Sequence, residues 1–193
     1  MKLEKARQIA EEIGDGLRGS CHRIEIVGDI RRQKPRVRKI KLLCVPAPVE
    51  GVPISPDDPM YSSIVGQKWL PEWDEEDAVH DEVMEMMDQD ILDWTSAGSR
   101  GYTTARKTVI HQPSGMPVDI LSTDERCWPV ALVVASGGTK TVRRIAAAAR
   151  DKGWRLQTSG DGFDTTDGHI TCSTEQEVFE AVGLPYLPPE QRE

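Results

Sequence analysis

The chain has 193 residues, a formal net charge of -8, 38% apolar residues and 29% charged residues. This balance belongs to one folded domain, or two small lobes sharing a core, and excludes a disordered chain. No run approaches the ~18 apolar residues of a membrane span, and Met1-Lys2-Leu3-Glu4-Lys5 does not open a secretion signal, so a cytoplasmic protein is expected.

Leu3 to Leu17 reads as a helix, with Leu3, Ala6, Ile9, Ala10, Ile13 and Leu17 on one face. Gly14, Gly16 and Gly19 are expected to loosen its end. Arg23 to Val27 alternates as a short strand that Gly28-Asp29 ends, and Arg31 to Pro35 connects it to a second strand, Val37 to Val45. Pro46 to Pro59 is turn-rich and reads as a loop, with Trp69 and Trp73 following around Pro71. Asp77 to Leu92 reads as a helix whose Val83, Met84, Met87, Ile91 and Leu92 form a core stripe.

Tyr102 to His111 and Met116 to Leu121 read as strands joined by a turn at Gln112-Pro113-Ser114-Gly115. Val130 to Ala135 fits helix or strand by pattern alone. Thr139 to Lys152 reads as a helix with Gly153 past its end. Short strands and glycine turns fill Trp154 to Ile170. Thr174, with Glu177 three residues on, caps a last helix through Val182 as a capping box, and Leu184 to Pro189 is an extended tail. The sum is a mixed α and β chain, divided into residues 1–126 and 127–193.

Charge and cysteine placement narrow the chemistry. Cys21, Cys44, Cys127 and Cys172 are widely spaced with no CxxC pair, which argues against a zinc knuckle or redox pair. Cys44, inside Leu42-Leu43-Cys44-Val45, reads as a buried thiol. His22, His80, His111 and His169 are scattered and read as structural or exposed. From Arg31 to Lys41 there are seven basic residues and no acidic one, whereas acidic residues dominate from Asp57 to Asp93. A basic patch on an acidic protein can hold a phosphate backbone or an acidic partner, and the acidic stretch could meet a basic one.

Val27-Gly28-Asp29-Ile30-Arg31-Arg32, followed by Val37 to Cys44, resembles the DNA polymerase beta type (family X) of nucleotidyltransferase. The family pattern is Gly-Ser-x-Arg-Arg, a turn, then Gly-Asp-x-Asp or Gly-Asp-x-Glu on a strand. Pro117-Val118-Asp119-Ile120 resembles the strand that supplies the third carboxylate. Gly137-Gly138-Thr139-Lys140 with Arg143-Arg144 and Lys152-Gly153-Trp154 resembles the Thr-Gly-Ser segment and its helix, and Glu180 to Glu193 the family's tail.

The resemblance implies an α+β fold: a mixed-sheet, polymerase beta-like palm with a small C-terminal α/β thumb-like lobe, and no room for the family's amino-terminal lyase domain. It implies transfer of a nucleoside monophosphate to a hydroxyl, with two metal ions held by carboxylate oxygens. Here the departures are specific. Lys39 and Lys41 stand where the first two carboxylates would be, Arg38 where a glycine would be, Asp29 for the serine and Val142 for an asparagine. Asp119 alone matches the third carboxylate, and is expected to pair with the two lysines.

The expectation is therefore a non-catalytic relative with no metal and no cofactor, binding nucleic acid, nucleotide or a partner protein. Arg31, Arg32, Gly137, Gly138, Lys140 and Arg143 are its expected phosphate-binding positions. The alternative is an active enzyme that holds magnesium or manganese with Asp29, Glu25 and Asp119. A small stand-alone relative would suit a phage or mobile element.

Overall fold

The computed structural model describes residues 1–47, 78–96 and 105–193. Trp69, Trp73, most of the expected Pro46 to Pro59 loop, Asp77 and Tyr102 lie outside them. Helix α1 spans Leu3–Leu17 and buries Ala6, Ile9, Ala10, Ile13 and Leu17, the stripe its periodicity predicts. Gly14 and Gly16 do not loosen it. A Cβ on Gly16 would fall 2.1 Å from Met86 Cε, so the absence of a side chain lets another helix pack closely.

Strand β1 (Cys21–Val27) leads through the single helical turn α2 (Gly28–Arg31) to strand β2 (Ile40–Pro46). The second strand thus starts later than expected. Val37 and Met1 exchange N–H to carbonyl bonds of 2.9 Å, and Arg36 bridges Lys2, so residues 36–37 pair with the start of the chain. Lys39 falls at the bend and not on a strand, a correction to its expected place.

Helix α3 (Ala78–Asp88) buries Val79, Val83 and Met86. It ends short of Leu92, which belongs to strand β3 (Leu92–Trp94) and pairs with His111. The break falls at Asp90, whose φ of 59° leaves the helix. Strands β4 (Arg106–His111) and β5 (Met116–Ser122) complete a sheet of order β1-β2-β5-β4-β3. Only β2 and β5 run parallel; the other neighbours are antiparallel.

Both faces of the sheet are covered, which explains the doubly apolar run of β2. Ile40, Leu42, Cys44, Val118 and Ile120 pack with α1 and α3. On the other face Val27, Leu43 and Val45 pack with Trp128, Leu132 and Ala135 of helix α4 (Trp128–Ser136). Val130 and Val133 of the same helix join a further core with Ile145, Ala149, Phe163, Val178 and Phe179. Val130 to Ala135, ambiguous by pattern, is helical because it is apolar all round and has a core on each side.

The second core is built by helix α5 (Thr139–Asp151), the antiparallel sheet β6 (Arg155–Leu156), β7 (Gly162–Thr165) and β8 (Gly168–Thr171), and helix α6 (Glu175–Glu180). Thr174 Oγ1 accepts the Glu177 N–H at 3.1 Å. The reciprocal bond of the expected capping box is displaced by one residue: the Ser173 N–H donates to Glu177 Oε2 at 2.7 Å.

Candidate functional site

Lys41 and Asp119 are register partners on the parallel pair β2 and β5, so their side chains share the sheet face that α4 covers. Asp119 is 1% exposed. Its carboxylate is fully engaged. Lys39 Nζ lies 3.2 Å from Oδ1 and 3.1 Å from Oδ2, Thr108 Oγ1 donates to Oδ1 at 3.0 Å, and Arg106 Nη2 donates to Oδ2 at 2.8 Å. Arg106 and Thr108 were not foreseen. Both lie on β4, two residues apart, and Thr108 is the register partner of Asp119; only the order of strands brings them there.

Lys41 is half-buried and makes no direct ion pair or hydrogen bond among the described residues. Burial holds its ammonium below the ordinary value; Asp119 pulls it back up, while Arg106, Lys39 and Arg32 press it further down. Divalent ions need several oxygen ligands close together. The residues at this cleft do not fit them: ammonium groups stand beside a carboxylate whose oxygens are already taken. Among the described residues no group of three or more His, Cys, Asp or Glu side chains is arranged to hold a metal ion. Glu25, Asp29 and Asp119 each pair with different cations: Arg31, Arg32, and Lys39 with Arg106.

Arg31 reaches from α2 into the second core. Its guanidinium donates to Ser136 Oγ at 2.7 Å and forms a two-pronged pair with Glu175 at 2.9 and 2.8 Å, while Nε lies 2.8 Å from Glu25. Burial works against this charge, but the Glu175 hydrogen bond and the nearby carboxylates leave its pKa raised. Glu175 also accepts from Arg192 Nη1 at 2.7 Å. Arg192 is fully buried, near the rings of Phe179 and Tyr186, and donates through Nε to Leu187 O at 2.8 Å. Burial opposes ionisation of Glu175, yet the bonds from Arg31 and Arg192 hold its pKa below the ordinary value. Arg32 bonds Asp29 and the Ser136 carbonyl.

Gly137 and Gly138 have positive φ, 66° and 49°, and open α5. The seat they form is filled from within the chain. The Thr141 N–H donates to Glu193 O at 2.7 Å, the Glu193 N–H donates to Thr141 Oγ1 at 3.0 Å, and Lys140 Nζ lies 3.2 Å from Glu193 Oε2. Arg143 is exposed on α5.

An open groove of about 1210 Å³ lies between the start of α1 and the 32–38 loop. Six cationic side chains line it: Lys2, Arg7, Arg32, Lys34, Arg36 and Arg38, against Glu4 and Asp29. Lys2 and Arg7 were not among the expected site residues. The basic run alone could not place them, because the pairing of residues 36–37 with Met1 and Lys2 brings the two segments together. Cys44 and Cys172 are buried, and burial pushes the Cys127 and Cys172 thiols up to about 11, which disfavours them as nucleophiles.

The architecture is a mixed α+β fold of the polymerase beta palm and thumb type. The DNA polymerase beta thumb family matches residues 131–193. Over the whole chain the fold is similar to Leishmania infantum polymerase beta. Its ternary P/T complex gives a TM-score of 0.72 at 16% identity, covering 100% of this chain and 76% of that one. Its ternary gap complex gives 0.72 at 15%, covering 100% and 70%. No curated protein matches the chain by sequence. The likeness establishes a nucleotidyltransferase-like fold with a thumb-like domain.

Proposed function

We propose that this chain is a non-catalytic relative of the polymerase beta type, with lobes 1–126 and 127–193, that binds the phosphate backbone of nucleic acid. The observation that carries the reading is the groove of six cations on a protein whose formal charge is -8. Clustered cations can hold a polyanion that the molecule as a whole would repel. The absence of catalysis rests on Asp119, whose oxygens are taken by Lys39, Arg106 and Thr108. Of the expected phosphate positions, Arg32 lines the groove, while Arg31, Gly138 and Lys140 already have partners within the chain. Arg143 and Gly137 extend the same reading to the start of α5. A cytoplasmic setting suits such a ligand.

The test is fluorescence anisotropy with labelled single-stranded and duplex oligonucleotides at two salt concentrations. Binding should weaken with salt. Lys34→Gln with Arg36→Gln and Arg38→Gln should weaken it further and flatten its salt dependence, by about one unit of slope for each phosphate left without its cation. Undiminished binding would place the ligand elsewhere. A parallel transfer assay, with all four nucleoside triphosphates and magnesium or manganese, should yield no product. Metal-dependent turnover abolished by Asp119→Ala would overturn the non-catalytic reading.

A further inference from the structure

The structure assigns a second, smaller anion site to the cationic cluster beside Asp119: we propose that Lys41 binds a single phosphate group there without a metal ion, with Lys39 and Arg106 at the rim. The inference rests on the non-catalytic reading above, and gives the altered carboxylate positions a use of their own.

The argument starts from Lys41. A half-buried ammonium has lost part of its hydration, which an anionic partner restores. Asp119 is the nearest carboxylate in register, but its two oxygens already serve Lys39, Arg106 and Thr108. It therefore answers Lys41 only at a distance.

Lys41 is also held in place. Its stem lies across Gly28, whose φ is 68°, and a Cβ at Gly28 would stand 3.1 Å from Lys41 Cδ. This close passage of stem over backbone fixes the path of the Lys41 side chain. Nearby Lys39, 34% exposed, has a donor that can turn to a ligand at the rim, and Arg106, 51% exposed, adds its charge there. The chemical class that fits such a cation group is a compact dianion with several acceptor oxygens. Partial desolvation strengthens that attraction relative to open water, and each contact would be a charge-assisted hydrogen bond. A divalent cation fits nowhere in this arrangement.

The probe is inorganic phosphate, titrated in the presence of EDTA into the full-length protein labelled with 15N. Calorimetry supplies the affinity and amide shifts supply the place. Shifts should concentrate at Gly28, Lys41 and Asp119. Lys41→Met should weaken phosphate by about tenfold or more, whereas Lys41→Arg should keep most of it. Arg150→Gln, exposed at the end of α5 and outside both sites, should leave phosphate affinity unchanged. A nucleoside monophosphate and the matching nucleoside then separate the sources of the phosphate. Displacement by the monophosphate alone assigns the site to a nucleotide, and no displacement assigns it to free phosphate; either result, with the Lys41 dependence, supports the site.

Phosphate bound equally well by Lys41→Met, or shifts confined to Lys34 to Arg38, would overturn this inference and leave the groove reading intact. Binding that appears only when magnesium is added would overturn both. The thermal midpoint and near-ultraviolet circular dichroism of each variant establish that it is folded, and Lys41→Arg separates charge from packing.

Discussion

At the scale of single residues, Asp119 carries most information. Its bonds are those of a buried carboxylate paired with Lys39 and Arg106. Asp119→Asn keeps the shape and removes the charge. Lys39 and Arg106 would lose this contact, but both reach solvent, which limits the penalty. A loss of about 1–3 kcal/mol is expected, below the range for breaking a fully buried pair. Urea unfolding followed by tryptophan fluorescence measures it, and a midpoint equal to the parent's would show that these bonds contribute nothing net. Lys39, Lys41 and Asp119 were legible in the sequence as candidate positions, since residue types at fixed spacing are there to read. The company that Asp119 keeps was not. Arg106 lies 13 residues before it and meets it only through the antiparallel pairing of β4 with β5.

At the scale of elements, the seat at the start of α5 shows how one position constrains another 55 residues away. Gly138 has a φ of 49°, and a Cβ there would lie 1.9 Å from the Glu193 carbonyl carbon. Gly138→Ala must therefore strain the backbone and displace the tail, leaving the Thr141 N–H without its acceptor. A loss of about 1–3 kcal/mol is expected from the conformation alone. Limited proteolysis should detect the released tail as faster cleavage near Leu187 to Glu193; an unchanged cleavage pattern would mean the tail stays seated by other contacts. Glycine before a helix suggested an external anion, since free amides attract one. Sequence could not show that Glu193 fills that place. Leu92 teaches the same lesson about periodicity: its spacing continued the stripe of α3, but a turn at Asp90 moved it to an edge strand where it is also buried.

At the scale of the whole molecule, two charge networks set opposite pH limits. Glu175 links Arg31 of α2 to Arg192 of the tail, and its pKa is held below its ordinary value of 4.5. Its contribution is present above that value and is lost as pH falls through the lower folded one. His169 bridges two carboxylates, Nδ1 to Asp164 at 3.0 Å and Nε2 to Asp161 at 2.6 Å. The hydrogen bonds to Asp164 and Asp161 raise its pKa above 6.5. Its contribution is complete below 6.5 and is lost as pH rises through the raised value. The thermal midpoint should thus fall on both sides of a mildly acidic optimum. Glu175→Gln should flatten the acid limb and leave the alkaline one, whereas His169→Gln should flatten the alkaline limb and also soften the acid one, since its bonds to Asp164 and Asp161 help hold those carboxylates below their ordinary range. A midpoint independent of pH between 4 and 8 (about the range the two groups span) would refute both assignments.

The sequence by itself determined what depends on residue type and short spacing. Helix α1 follows from its stripe, and the strand pair around Gly28 from alternation and a turn former. Overlapping motif order pointed to the fold, because each motif requires its neighbours in that sequence. Tertiary structure alone decided the partners. The basic groove exists because Met1 and Lys2 pair with residues 36–37, and the lobes are joined because Arg31 meets Glu175 across 144 positions. Such contacts are set by strand order and by which helix covers which face. Hydrophobic periodicity says that a face must be covered, but it leaves open what covers it, and charged side chains take whichever partners that packing brings within reach.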